Sequence, residues 1–386
     1  MNTIPAYLRP NGDIGIRNHL LIIPTVICSN QVCNRIMQSV PDTVAIPHQH
    51  GCSQIGADKD RTFDVLAGTG KNPNVGGVII ISLGCEVVDP KRLAEEIRKT
   101  GKPVEWFDIQ SVGGSVKAIG HGVELAKRMK AELDKQPQTD VPLSKLKVGV
   151  KCGGSDATSG LASNPALGAA ADRLIAEGGG IVIGETTEII GAEHVLAERC
   201  ASEMTKEKLY HIVDRFEKEV DRMGADMRGG NPSPGNIAGG LTTIEEKSLG
   251  CISKCGTAPI EGVIEYAERI PDHGLYFMDS PGNDIECVSG MAAGGAHIVC
   301  FTTGLGTPTG AAVVPVIKIT GNPGTFRHME DNMDVDVSEI LSGSFSLSEA
   351  GDRIWQEIVE VAGGKLTKAE ILGHQEFSIN RIGPSL

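Results

Sequence analysis

Aromatic side chains are scarce in this chain: Phe, Trp and Tyr together make up 4% of 386 residues. That leaves little surface on which to stack nucleobases or sugar rings. Positive charge is also in deficit. With 49 acidic and 36 basic residues the formal net charge is −13, which argues against nucleic acid or an anionic membrane as partner. A small anionic substrate is still compatible, because a local cluster of Lys, Arg or metal reverses the sign. No apolar run approaches the ~20 residues that span a bilayer. The N-terminus, MNTIPAYLRPNGD, lacks the charged-then-apolar layout of a signal peptide. The reading is a cytoplasmic chain, in which the ten cysteines are core thiols or metal ligands rather than disulfides. Neither a Walker lysine nor a GxGxxG turn follows any strand, which disfavours nucleotide binding. No repeat of fixed period is present.

Glycine is abundant, at 49 residues, and implies many tight turns and close backbone approaches. Strand and helix patterns alternate. A strand and then a helix fill 18–40, short apolar runs occur at 43–47 and 104–109, and helical stretches cover 58–69, 90–100 and 114–134. Gly76–Leu83 is a near-continuous β-branched run, the pattern of a parallel strand covered on both faces. The polar, proline-bearing stretch 135–144 reads as a linker. Strands resume at Leu146–Val150, Ile181–Ile183, Leu275–Met278, His297–Phe301 and Val314–Ile319, with helices at 163–176, 191–224 and 347–362. This predicts an α/β protein with parallel or mostly parallel sheets, flanking helices and two Rossmann-like domains, 1–134 and 145–386. Within the second, 225–259 is Gly/Pro-rich, little patterned, and expected to be functional.

Apolar runs in this chain end abruptly in reactive residues, and ligands of open α/β sheets bind outside the carboxyl ends of strands. His48, His50 and Cys52 follow one run. Cys85 and Glu86 follow another. Imidazole, thiolate and carboxylate suit iron or zinc. Cys152-Gly-Gly-Ser155-Asp156 through Ser159 and Asn164 has the layout of an anion-binding turn that feeds a helix. Lys247, Cys251, Lys254 and Cys255 follow in the irregular stretch, where the lysines suit a carboxylate clamp or a base; the CxxxC pair alone is weak evidence for metal. Cys28, Cys33, Cys200, Cys287 and Cys300 read as core thiols.

These motifs, in this order, resemble the altronate dehydratase / galactarate dehydratase family. The matching segments are Arg9-Pro-Asn-Gly-Asp-Ile-Gly-Ile-Arg17-Asn18, His48-x-x-Gly-Cys52, Asn72-Pro-Asn with Leu83-Gly-Cys-Glu86, and Cys152-Gly-Gly-Ser-Asp-x-x-Ser-Gly with Asn164-Pro. They continue with Gly184-Glu185-Thr-x-Glu188, Pro234-Gly-Asn236, Lys247-Ser-Leu-Gly, Asp279-x-Pro-Gly, and Phe301-Thr-Thr-Gly with Pro315-Val-Ile-Lys318. The resemblance covers almost the whole chain. It implies a lyase that performs metal-dependent β-elimination on a 2-hydroxy acid, usually with ferrous iron and with Mn2+ or Mg2+ as alternatives; apart from the resemblance, the three strand-end thiols Cys52, Cys85 and Cys152 permit an Fe–S cluster. Some members begin with a small extra domain, whereas the Arg-Pro motif here starts at Arg9. The chain therefore looks like the large subunit of a split, oligomeric enzyme with a separate small subunit. A relative with the same layout, the (2R)-sulfolactate sulfo-lyase large subunit, releases bisulfite instead of water. The expected metal ligands are His48, Cys52, Cys85, Glu86 and Cys152. The expected substrate contacts are Arg17, Ser155, Asp156, Ser159, Asn164, Asn236 and Lys318, and the base is Lys247, Glu185 or His50. A non-catalytic α/β binding protein is the other reading, and it leaves the Cys/His/Glu clustering unexplained.

Overall fold

A computed structural model describes residues 3–384 of the chain. Its strands, in chain order, are β1 (Thr3–Leu8), β2 (Ile14–Gly15), β3 (His19–Pro24), β4 (Thr43–Ala45), β5 (Val75–Ser82), β6 (Val104–Asp108) and β7 (Thr139–Pro142), followed by β8 (Lys147–Cys152), β9 (Gly180–Ile183), β10 (Ile260–Ile264), β11 (Gly274–Met278), β12 (Ile298–Thr302), β13 (Val316–Thr320) and β14 (Val335–Asp336). Two sheets are wholly parallel. The N-terminal one has the order β4-β3-β5-β6, and the C-terminal one has the order β10-β11-β9-β8-β12-β13-β14. A mostly parallel α/β fold with flanking helices is thus what the periodicity predicted.

All eight residues of β5 are buried, as a strand covered on both faces requires. Each fully buried Ile there contributes about 1.5–3 kcal/mol relative to exposure. One face of this sheet packs on its own helices. On the other, Leu21, Ile23, Val78 and Ile80 share a core with Met291, Val299 and Phe301 of the second domain. The helices Gly56–Lys71 and Asp284–Ala293 meet across that boundary so closely that a Cβ on Gly68 would lie 2.5 Å from the Ala293 carbonyl oxygen.

Two expectations need correction. The linker 135–144 contains β7, which pairs antiparallel with β1 while β1 also pairs with β2. Thr139–Pro142 was unreadable as a strand because its pattern is mostly exposed and one-sided. The stretch 225–259 is helical in three places, Met227–Gly230, Pro234–Ala238 and Ile244–Ile252. Asp226, Ser233 and Thr243 cap those helices with side-chain oxygens, so local capping rather than amphipathic period sets them.

Candidate functional site

The C-terminal sheet runs outward in both directions from β8. The chain goes from β8 to β9 on one side and later crosses to β12 on the other. The crevice beyond β8 and β12 is therefore a topological switch point, where doubly wound sheets bind ligands. Cys152 ends β8 and Thr302 ends β12, and the Gly153 N–H donates to the Thr302 carbonyl at 3.0 Å. The Thr302 hydroxyl holds the Asn164 amide oxygen at 2.5 Å. This turns the Asn164 amide group towards Cys152 Sγ, 3.6 Å away.

Behind Cys152 lies a charged cluster with almost no access to water. Lys151 and Lys254 are both 0% exposed and Glu188 is 1% exposed. Lys254 Nζ donates to Glu188 Oε2 at 2.5 Å. Lys151 contacts Glu185, lies 2.7 Å from Asp284 Oδ1 and 3.8 Å from Glu188 Oε1. Buried charges persist only when so paired. The two groups of the cluster with proton affinities nearest neutrality are Glu185 and Cys152. Burial and then the neighbouring Glu188 charge raise Glu185 to about 8, against the pull of Lys151. The Cys251 thiol, aided by Lys254 and Ser155 and opposed by burial, brings Cys152 down to about 6. Glu188 is held below the usual carboxylate range; burial opposes this, but Lys151 and Lys254 outweigh it. Glu185 itself sits at φ 69°, a left-handed conformation that a non-glycine residue adopts only when its surroundings over-determine it.

Ligand atoms of Cys152, Glu188 and Cys251 all lie within 4.8 Å of one another. Two thiols and a carboxylate, with Glu188 Oε2 taken by Lys254 and Oε1 turned to Cys251 at 3.5 Å, are a donor set that fits Fe2+ or Zn2+ with positions left open. A cavity of about 340 Å³ opens beside them. Its lining includes Ser155, Ser159, Asn164, Lys247 and Cys251. The residues expected to contact substrate at 155–164 thus meet Lys247 at one pocket.

Within that pocket the turn is firmly built. Ser155 Oγ is 2.9 Å from Cys152 Sγ. Asp156 accepts from the Thr158 hydroxyl at 2.6 Å, the Ser159 N–H at 3.1 Å and the Asn322 amide at 2.8 Å, so it shapes the turn rather than offering free oxygens. Asn236 donates to the Ser155 carbonyl at 2.8 Å and braces the same turn. Lys247 Nζ donates to Asn231 Oδ1 at 3.0 Å.

The remaining expected site residues lie elsewhere, for identifiable reasons. Arg17 is a buried clamp: it pairs bidentately with Glu370 and donates to the carbonyls of Ile16, Val361 and Lys365. Lys318 donates to the carbonyls of Pro308 and Thr309, and burial lowers its pKa to about 8; it does not line the pocket. The expected metal set is divided between two sheets. Cys152 belongs to the β8 edge, whereas His48, Cys52, Cys85 and Glu86 follow strands of the N-terminal sheet. Both His48 nitrogens are occupied, Nε2 by the Pro24 carbonyl at 2.7 Å and Nδ1 by the His50 N–H at 3.1 Å. Both Glu86 oxygens are occupied by Thr25, Gly84 and Cys85. His50 gives Nε2 to the Ile379 carbonyl at 2.8 Å, far in sequence and in sheet from the Cys152 pocket. The larger cavity, about 800 Å³, lies at the domain junction among Asp13, Lys71, Glu96, Lys147 and Arg269. Those side chains largely pair with one another, so it offers charge already spent.

Sequence reasoning left Lys151, Glu188 and Asp284 without a role, and it took Lys254 for a clamp or base and Cys251 for weak evidence of metal. A signal existed for the first two. A lysine just before the last residue of a parallel strand, Lys151 in Lys147–Cys152, has to find a buried partner, and Glu188 stands in the Gly184-Glu185-Thr-x-Glu188 segment after the next strand.

Comparison with known proteins finds two family models along the chain. Residues 6–134 match the model described as D-galactarate dehydratase/altronate hydrolase, second domain, and residues 143–385 match D-galactarate/altronate dehydratase, C-terminal. The chain is 41% identical to (2R)-sulfolactate sulfo-lyase subunit beta of Chromohalobacter salexigens, over 98% of this chain and 97% of that one. It is 36% identical to altronate dehydratase of Bacillus subtilis, over 100% of this chain and 78% of the relative. Against altronate dehydratase of Escherichia coli the figures are 35%, 99% and 78%.

Proposed function

The chain belongs to the D-galactarate/altronate dehydratase family, whose curated relatives are carbon–oxygen or carbon–sulfur lyases, and we propose that it is the large catalytic subunit of a metal-dependent lyase performing β-elimination on a 2-hydroxy acid. The observation that carries this is the pocket at the β8–β12 switch point, where the Ser155–Ser159 turn, Asn164 and Lys247 share a wall with Cys251, whose thiol lies within 4.8 Å of the buried Cys152 and Glu188 ligand atoms. In the reaction the C2–H bond breaks and its proton goes to a base. The C2 electron pair forms the C2=C3 bond, and the group on C3 leaves with its bonding pair. The resulting enol takes a proton at C3 and gives up the proton of its 2-hydroxyl to become a 2-keto acid.

Each side chain has a part in this reading. Lys247, half-buried and cationic, holds the substrate carboxylate together with the Ser155–Ser159 turn and the Asn164 amide. Cys152, Glu188 and Cys251 would hold the metal, Fe2+ above Mn2+ or Mg2+ given the thiols, and a metal there supplies Lewis acidity for the charge developing on the carboxylate and 2-oxygen. Glu185 lies behind the pocket wall against Lys151, and with its affinity near neutrality it is the carboxyl in the cluster suited to take up the C2 proton. A base of this kind contributes typically 10²–10⁴-fold.

Bisulfite is the leaving group that similarity favours, since the sulfo-lyase subunit matches at higher identity and nearly end to end. That subunit is named as one of a pair, so a separate small partner subunit belongs to this reading. Altronate-type dehydration is the second reading. The test is to assay the chain with its small partner on (2R)-sulfolactate and on altronate. Sulfite plus pyruvate from the first supports the primary reading. A 2-keto-3-deoxy acid from altronate alone replaces it with the second, and no turnover of either by the metal-loaded complex rejects both.

A further inference from the structure

Three of the ten cysteines are exposed, Cys28, Cys52 and Cys85, and all three sit on one edge of the N-terminal sheet. Free cysteine is among the most buried residue types, and an exposed free thiol is a liability that soluble surfaces avoid. Cys28 was expected in the core; the structure places it outside, in the turn after β3. Cys52 follows β4 and Cys85 follows β5. In the order β4-β3-β5-β6 the chain reverses direction between β3 and β5. This is the switch-point crevice of the second parallel sheet, again outside the carboxyl ends of its strands.

The three loops are tied to one another in a closed ring. Ile27 N–H donates to the His50 carbonyl at 2.9 Å, which joins the Cys28 loop to the Cys52 loop. Val87 N–H donates to the Gly51 carbonyl at 2.9 Å, which joins the Cys52 loop to the Cys85 loop. The Thr25 hydroxyl donates to Glu86 Oε1 at 2.6 Å, which closes the ring. Glu86 Oε2 meanwhile accepts the N–H groups of Gly84 and Cys85 at 2.8 and 2.9 Å. Gly51, at φ +95°, permits the approach, because a Cβ there would stand 2.1 Å from the Thr25 carbonyl oxygen. Each loop then enters a helix of nine or more residues, Asn30–Ser39, Gly56–Lys71 and Pro90–Arg98. Their N-termini favour negative charge at this edge. His50, two residues before Cys52, is 2% exposed, and its Nδ1 has no partner among the described residues.

We propose that Cys28, Cys52 and Cys85 hold an iron–sulfur cluster of the [4Fe–4S] type, with one iron left without a cysteine ligand. Three thiols carried on loops that are hydrogen-bonded to one another supply the three thiolate ligands that such a cluster takes. A single ion fits less well. Among the described residues, only Cys152, Glu188 and Cys251 close to within 4.8 Å of one another as a single-ion site would, and a cluster is broader than an ion. Binding releases the three thiol protons, and the open iron is a Lewis-acidic position for an oxygen ligand. This assignment is independent of the metal placed at Cys152, and it moves the cluster ligands expected at Cys52, Cys85 and Cys152 onto a single sheet edge.

The experiment is anaerobic reconstitution of the full chain with ferric iron, a thiol reductant that brings part of the iron to the ferrous state, and sulfide. Iron and acid-labile sulfide are then quantified, and the visible sulfide-to-iron absorption and the EPR signal of the reduced protein are recorded. Labile sulfide at about four per chain is expected, with iron at about four, or about five where the Cys152 site also fills, and most of the sulfide and of the cluster iron is lost in each of Cys28→Ser, Cys52→Ser and Cys85→Ser while far-ultraviolet circular dichroism is unchanged. Cys152→Ser, Cys251→Ser and the control Cys200→Ser should keep the cluster. Absence of labile sulfide after reconstitution, retention of the cluster in the three variants, or its loss in Cys152→Ser with retention in Cys52→Ser would overturn the assignment. Because the readout is the cluster itself, failure of the proposed lyase activity leaves this test intact.

Discussion

Lys254→Met probes the energetics of the buried cluster directly. Methionine is unbranched and flexible and keeps most of the lysine volume, so the main change is loss of the ammonium 2.5 Å from Glu188 Oε2. Glu188 is 1% exposed and then has two options. It stays ionised against burial, or it takes up a proton. Protonation at pH 7 against the ordinary glutamate value of 4.5 costs about 3.4 kcal/mol, at 1.36 kcal/mol per pH unit. That figure caps the cost of the unpaired carboxylate alone; the parent's favourable pairing of Lys254 with Glu188 is lost as well, while the burial cost of the Lys254 ammonium is removed and offsets part of it. Lys151 remains 3.8 Å away and keeps part of the ion pairing, so a destabilisation of about 2–3 kcal/mol at pH 7 is expected, slightly below the range for stripping one partner from a buried pair. The pH dependence follows from the sign of the shift. In the parent chain Glu188 is depressed below 4.5, so its contribution is present above that value and fades as pH falls through the depressed value. In the variant burial acts with weaker opposition, and the penalty is present at neutral pH and relieved towards 4.5. Urea denaturation followed by circular dichroism, on metal-free protein between pH 7 and 5, measures both. The double variant Lys254→Met/Glu188→Gln should recover most of the loss, as coupled neighbours do. A loss under about 0.5 kcal/mol at pH 7, or one that does not shrink with acidification, would refute the reasoning that Glu188 is a buried ionised carboxylate held by Lys254.

Three further outcomes are expected. If Glu185 accepts the substrate proton, turnover should rise with pH through about 8, where the carboxyl ionises, and Glu185→Gln should lower kcat by about 100-fold or more with little change in KM; an unchanged profile in the variant assigns the base elsewhere. Lys247→Met should raise KM by about tenfold or more, the scale of one charge-assisted contact, while Lys247→Arg retains much of the binding; equal kcat losses in both would make Lys247 the base. Arg17→Ala should destabilise the chain by about 3–5 kcal/mol, because it strands the Glu370 carboxylate and three carbonyl acceptors. Its KM should be unchanged at temperatures where the variant is folded, and a selective KM effect would return Arg17 to the substrate.

What could be read from residues alone was the sheet type and the pocket turn, since both are local in sequence. Val75–Ser82 announces a covered parallel strand by composition, and Cys152 to Asn164 announces a turn by glycine and hydroxyl spacing. Partners from distant segments were not readable. Glu188, Cys251 and Lys254 meet Cys152 only because the strand order brings the turn after β9 and the helix Ile244–Ile252 to the end of β8. The same limit left other family segments without a role. Arg9 donates to the carbonyls of Pro73 and Arg17, and Asn72 and Asn74 donate to Ala292, Ala296, His297 and Val313 carbonyls across the domain boundary. Such conspicuous polar residues look chemical in a sequence and turn out to satisfy buried backbone groups, which costs roughly 1–3 kcal/mol each when left undone. Strand-end reasoning holds for both sheets, but it locates an edge and not a ligand set. Each of the two switch points gathers its own thiols, Cys152 and Cys251 at one and Cys28, Cys52 and Cys85 at the other. The shared core and the helix pair Gly56–Lys71 and Asp284–Ala293 bind the two sheets into one body. At the starts of those helices Asn380 bridges Arg61 to Glu286, so the loops entering both from strand ends lie on the same side of the molecule. Reactive residues at successive strand ends therefore describe two sites facing one way, and the variants at Cys52 and Cys152 separate them.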